Sequence, residues 1–392
     1  MVLEYHYIYK KTEKELHGWY VAKENPRREC TSERLLINPY NGCSVGCFYC
    51  YARALPGNFE EFHKERKIFV FENFDEVVEK QISNLFVASC GYLSPVTDPF
   101  QEIEKKEKIS QKIIEVFLKY NLPIEFITKR EILKEVVELL KPSFNEPKNS
   151  CKKHCFGQVS ILTINEDLRK ILAPNGATTS VLFKNLKILS ENKIFAVCRI
   201  DPILPFITDK KEDLKEIVLR AKDCGVKHII ASVLDIPVKI YSFVLDNIKK
   251  YFGTSVYYDY KNLYIENIGY INAKIDYRLK IFDYLRNLCD KNDLTFALCM
   301  EYRILEDGSV EGLNKIFMSS KNCEGIDIPI YIRKPNEDKF YPAVNCSGAC
   351  LNCEKALCGI EDLAQKKSGP KGFKLKDYKN FSLKLQQQSL SI

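Results

Sequence analysis

With 392 residues, 45% of them apolar and 28% charged, the chain has the composition of a globular protein of two domains or one large one. No uncharged apolar run approaches the roughly 18 residues that a membrane-spanning helix needs. The N-terminal stretch MVLEYHYIYKKTEKELHG has no apolar core of a signal peptide, so a cytoplasmic protein with no membrane partner is expected. The net charge of +7 and pI near 8.5 are mildly basic, a weak pointer to a polyanionic partner.

After an N-terminal segment (1–29), short β-branched runs alternate with helical patterns. The predicted strands are Arg34–Asn38, Phe86–Leu93, Pro123–Thr128, Phe156–Leu162, Ile194–Ile200 and Lys227–Val233. Between them the spacing predicts helices over Asp75–Leu85, Lys105–Tyr120, Glu131–Leu140, Thr179–Glu191 and Lys211–Cys224. Repeated strand–helix units imply a parallel sheet, and six of them imply an α/β fold with a partial (β/α)6 TIM-like barrel over 30–245. The alternation then weakens. Helices over Val238–Tyr251 and Asp276–Cys289 and a strand over Leu294–Cys299 fall in or near a helical extension (246–322). A cysteine-rich region (323–363) completes an α+β extension, and a basic tail (364–392) follows. Between Lys366 and Lys384 that tail carries lysines against a single acid, Asp377. A solvated end is the simpler reading of it, and contact with a phosphate backbone is the alternative.

The sequence has 16 cysteines. With no export signal, clustered spacing favours metal over disulfides. The segment INPYNGCSVGCFYCYARAL places Cys43, Cys47 and Cys50 in a C-x3-C-x2-C pattern directly after the first strand. Zinc sites normally need four ligands. Three close thiolates instead suit a four-iron four-sulfur cube with one iron left open. That iron can chelate the amino and carboxyl groups of S-adenosylmethionine, and an electron from the cluster then releases a 5′-deoxyadenosyl radical. In parallel α/β folds such a loop lies at the carboxyl ends of the strands, where ligands bind.

This segment resembles the radical S-adenosylmethionine superfamily, and NPYNGCSVGCFYCYAR looks like its spore-photoproduct-lyase-like branch. The similarity continues through LSPVTDPFQEIE (93–104), FITKR (126–130), QVSILTINEDLRKIL (158–172) and AVCRIDPILPFITD (196–209), covering roughly 30–240. It implies that Tyr49 lies against the adenine and that Thr97 and Asp98 contact the amino-acid end or ribose. It also implies that Lys129 and Ser160 hold the cofactor, with Arg199 assisting at its carboxylate. Each residue type suits its role: a cation for a carboxylate, hydroxyls and a carboxylate for an ammonium and a ribose. The branch returns hydrogen from a cysteine near the end of the second strand, where this chain has Pro95; Cys90 is the replacement candidate if its side chain faces inward. The stretch APNGATTSVLF (173–183) also departs from the branch pattern, so dimer repair itself is not implied.

Near the C-terminus NCSGACLNCEKALCGI sets Cys346, Cys350, Cys353 and Cys358 in a C-x3-C-x2-C-x4-C pattern. Four thiolates would close a second four-iron four-sulfur cluster, with structural zinc as the alternative. Cys151 and Cys155, in CKKHC, are read as part of a hydrophilic loop. The function expected is a radical S-adenosylmethionine enzyme that takes hydrogen from a nucleic-acid base, with a peptide or small metabolite as the alternative substrate. An electron-transfer protein with two clusters is the reading from another class. An electron donor such as flavodoxin or ferredoxin is an expected partner, and nucleic acid a candidate one.

Overall fold

The computed structural model describes residues 3–18, 30–364 and 375–379. Seven strands form one sheet: β1 (Leu35–Ile37), β2 (Gly91–Leu93), β3 (Ile124–Thr128), β4 (Phe156–Ser160), β5 (Phe195–Ile203), β6 (His228–Val233) and β7 (Thr295–Leu298). Their order in the sheet is their order in the chain, and every neighbouring pair is parallel. Parallel strands are covered on both faces, which is why β6, HIIASV, is buried at every position. The sequence reading counted six strands and left 294–299 in the extension. The sheet instead takes β7 as a seventh member, paired to β6 from His228↔Thr295 to Ala231↔Leu298.

The crossover helices are α1 (Phe74–Ile82), α2 (Ile109–Lys119), α3 (Lys134–Leu140), α4 (Thr179–Glu191), α5 (Lys211–Asp223), α6 (Tyr241–Leu263) and α7 (Ile275–Asp290). α4 starts at Thr178, whose hydroxyl caps the Val181 amide, and buries Leu182, Phe183, Leu186 and Leu189. Each such side chain contributes about 1.5–3 kcal/mol. The helix expected over Lys105–Tyr120 is broken at Lys108, which adopts φ 54°, and α6 is broken at Gly253 with φ 91°.

The two ends of the sheet have different cover. A three-stranded sheet of His6–Lys10, Tyr40–Asn41 and Lys67–Phe71 stands beside the loop after β1. The chain beyond β7 returns to the amino ends of the strands and seals them. There Arg34, preceding β1, bonds Glu125 of β3 at 2.8 Å and pairs with Glu324. His228 at the start of β6 meets the Cys323 carbonyl at 2.9 Å. Tyr331 and Ile332 pair antiparallel with Val87 and Ala88, just before β2. Most of the basic tail lies outside the described residues. Within 375–379, however, Tyr378 is fully buried, with its hydroxyl 3.1 Å from that of Ser89. Cys151 and Cys155 are buried too, against the expectation of a solvated loop, because the 3-10 turn Cys151–His154 leads directly into β4. Among the described residues no helix is long and apolar enough to cross a membrane.

Candidate functional site

The loop after β1 carries Cys43, Cys47 and Cys50 at the carboxyl end of the sheet. Its path depends on glycine. Gly42 and Gly46 adopt φ 101° and 85°, and a Cβ on Gly46 would come within 2.9 Å of Leu3 and of the Tyr5 hydroxyl. Two side chains and one backbone amide then clamp the loop. Gln101 accepts from the Ser44 amide at 3.0 Å, and Arg53 donates to the Cys47 carbonyl at 2.9 Å. The Asn175 amide donates to Val45 at 3.1 Å, while its side chain holds both backbone groups of Leu3. Asn175 lies in the stretch that departs from the branch pattern, so that stretch serves to bind the N-terminal segment to the cysteine loop.

All three cysteines are free thiols, and Cys43 and Cys50 are each affected by the charge of other members of the trio. Burial pushes the Cys43 and Cys50 thiols up. A bound cation is what would turn such buried thiols into thiolates. Among the described residues no group of three or more His, Cys, Asp or Glu side chains is gathered around a single point.

Around this loop lie hydroxyls with nothing to bond. Ser160, the last residue of β4, and Thr97, in the loop after β2, have buried oxygens without a hydrogen-bond partner among the described residues, as does Ser94. Buried polar groups are normally satisfied, so these positions fit a polar ligand. Lys129 follows β3 and lines one small cleft with Ser160. Its ammonium makes no ion pair among the described residues, and its charge reaches Cys50 and Asp201. Tyr49 is buried, with its hydroxyl beside Cys47. The residues present therefore fit a cluster with S-adenosylmethionine: a thiol trio, a cation and orphan hydroxyls at one end of the sheet.

Three expected residues stand elsewhere. Asp98 accepts from Thr128 at 2.9 Å, from the Lys129 amide at 2.7 Å and from the Phe100 amide at 2.9 Å. Three donors of the protein thus hold the Asp98 carboxylate, and through the Lys129 amide it fixes the backbone that carries Lys129. Arg199 is engaged by Asp201 and by Gln158 at 2.8 Å, so its charge is neutralised inside the barrel. Cys90 precedes β2 at the amino end of the sheet, packed among Phe156, Val197, Ile230 and Ile328. Its side chain shares the inner face with Val197 and Ile230, but it precedes β2 and so lies at the amino end, away from the carboxyl end that bears the cysteine trio. At the family position, the Pro95 carbonyl accepts from the Tyr51 hydroxyl at 2.8 Å.

Sequence reasoning missed the opposite wall. Asp235 follows β6 and Glu301 follows β7, and Asp201 lies on β5 close to both. Glu301 accepts from the Val233 amide at 2.7 Å and from Arg278 at 2.9 Å. Burial, reinforced by the Glu301 and Asp201 charges, pushes the Asp235 carboxyl up to about 7; burial pushes Glu301 up to about 7 as well, against Arg278. A hairpin of Tyr264–Asn267 and Ile271–Ala273 is tied to Ile236 by two backbone bonds. It brings the Tyr264 hydroxyl, buried and without a partner, near Asp235 and Glu301, and Tyr270 near Asp235 and Cys50. The only available signal was position, since each acid directly follows an apolar strand.

Residues 37–221 match the family model of the radical SAM superfamily, so this stretch is a radical SAM domain and the protein is an enzyme of that class. The chain is 26% identical over 366 residues to the radical SAM Nalpha-GlyT isomerase of Pseudomonas phage M6, an alignment covering 89% of this chain and 74% of that one. It is 27% identical over 180 residues to an uncharacterised protein of Methanocaldococcus jannaschii, covering 45% of this chain and 62% of the other. Its fold is similar to that of a spore photoproduct lyase variant with bound AdoMet and dinucleoside spore photoproduct, with TM-score 0.51 and 12% identity over 74% of this chain and 81% of that one.

Proposed function

We propose that Cys43, Cys47 and Cys50 hold the four-iron four-sulfur cluster, and that the enzyme abstracts hydrogen from a nucleic-acid base. The bound cluster and S-adenosylmethionine supply a 5′-deoxyadenosyl radical on delivery of an electron, from a donor such as flavodoxin or ferredoxin. The protein's own residues orient and seclude. The observation that carries the reading is the cleft shared by Ser160, with its orphan hydroxyl, and Lys129, which makes no ion pair among the described residues, at the end of the sheet that bears the cysteine trio; the orphan Thr97 hydroxyl lies at that end too. Lys129 would neutralise the cofactor carboxylate, while Ser160 and Thr97 would bond its polar groups. Tyr49, Tyr51 and the 264–273 hairpin would keep water from the chamber.

A base is favoured as substrate by the likeness to the spore lyase, whose structure holds a dinucleoside. A specific observation favours a second reading. Asp201 and Glu301 are paired with Arg199 and Arg278, while Asp235 beside them has no ion pair among the described residues and suits a substrate carrying an ammonium, as a peptide or small metabolite can. One experiment separates them. Anaerobically reconstituted, reduced enzyme is incubated with DNA, transfer RNA, dinucleotides or extract fractions in deuterated solvent. Mass analysis then follows the deoxyadenosine and the substrate pool. Deuterium entering a base supports the first reading, and deuterium confined to amine-bearing small molecules supports the second. Cys47→Ala should yield no 5′-deoxyadenosine. Wild-type enzyme that holds iron but yields none would overturn the proposal.

A further inference from the structure

Cys346, Cys350, Cys353 and Cys358 all line one cavity of about 480 Å³. The segment that carries them turns at Gly348, whose φ is 74° and where a Cβ would fall 1.8 Å from the Ile328 carbonyl oxygen. Only glycine permits that approach. The cavity is far larger than one ion requires, and among the described residues no three ligand groups converge on a single point. Zinc would draw its sulfurs to about 2.3 Å from a common centre. A cubane presents iron at four corners, so its thiolates stand apart around a volume.

The position of the cavity is as informative as its lining. The Leu351 amide donates to the Thr31 carbonyl at 2.9 Å, and Asn322 donates to the Ser347 carbonyl at 3.1 Å. Thr31 in turn leads through Arg34 into the amino end of β1. The quartet therefore lies at the amino ends of the strands, and the trio at the carboxyl ends. Strands of about five residues put roughly 16 Å of sheet between the two ends.

We infer that Cys346, Cys350, Cys353 and Cys358 hold a second four-iron four-sulfur cluster, ligated at all four irons and on the far side of the barrel from the substrate chamber. With no open iron it binds neither S-adenosylmethionine nor substrate, and it fastens the returning chain to the Thr31–Arg34 segment. The test uses a Cys43→Ala/Cys47→Ala/Cys50→Ala variant, reconstituted anaerobically with iron and sulfide. The expected result is about four irons per chain, with a reduced-state EPR signal that added S-adenosylmethionine leaves unchanged. No iron, one zinc in its place, or a signal that shifts with S-adenosylmethionine would each overturn the inference. In the otherwise wild-type chain, Cys350→Ala should lose half the iron while the remaining signal still responds to S-adenosylmethionine. Cys353→Ser, at a less buried position, serves the same purpose if the first variant does not fold. Full iron content in a folded variant contradicts the assignment.

Discussion

Single residues at the carboxyl end divide by whether their bonding capacity is already used. Asp98 and Arg199 are each held by several partners within the protein, whereas among the described residues Lys129 makes no ion pair and the Ser160 and Thr97 hydroxyls have no partner. Removing Lys129 as Lys129→Met, or a hydroxyl as Ser160→Ala, should weaken S-adenosylmethionine binding about tenfold or more each while iron content stays unchanged. Equilibrium binding beside an iron assay checks this; a loss of iron instead would assign these residues to holding the loop. Asp235 gives a pH prediction. Its folded carboxyl sits at about 7, above its ordinary value of 3.8, so the folded state holds its proton more tightly than the unfolded chain does. The resulting stability is complete below pH of about 4 and is lost as pH rises through about 7. Melting temperature should therefore fall between pH 5 and 8 in the wild type and fall less in Asp235→Asn, measured at equal iron loading. The two acids after β6 and β7 could not be recognised beforehand, because an isolated acid after a strand is also an ordinary turn residue.

At the level of elements, the cysteine loop was legible because ligand spacing is a local property, and the strands before it follow from β-branched runs. What keeps the loop in shape is only partly local. Arg53 folds back onto it from the same segment, while Gln101 and Asn175 reach it from two others. Gly46→Ala would place a side chain against Leu3 and Tyr5 in a left-handed conformation, at a cost of about 1–3 kcal/mol. It should lower cluster occupancy on reconstitution, read as iron and sulfide per chain, with little change in far-ultraviolet circular dichroism. β7 was recognised as a strand but not as a sheet member. Its partner β6 lies beyond two long helices and a hairpin, and pairing at that separation leaves no trace in local pattern.

For the whole molecule, the returning chain makes the barrel a closed object at its amino end. Arg34 there stands between Glu125 and Glu324, joining a core strand to the returning segment. Arg34→Ala should leave two buried carboxyls without their cation and destabilise the protein by about 3–5 kcal/mol. Denaturant unfolding checks this, and Glu324→Gln in the same background should restore part of the loss. By itself the sequence determined the chemistry that neighbouring residues define: both cysteine patterns, the alternating strands and helices, and the turn glycines between them. Only the tertiary structure decided which end of the sheet each group occupies. It carried Cys90 to the amino end, tied Asp98 to the Lys129 amide, added β7, and set the two cysteine groups a barrel's length apart. The physical reason is reach. Ligand spacing and hydrophobic period act over a few residues, whereas burial and hydrogen-bond satisfaction depend on segments that meet only once the chain has closed on itself.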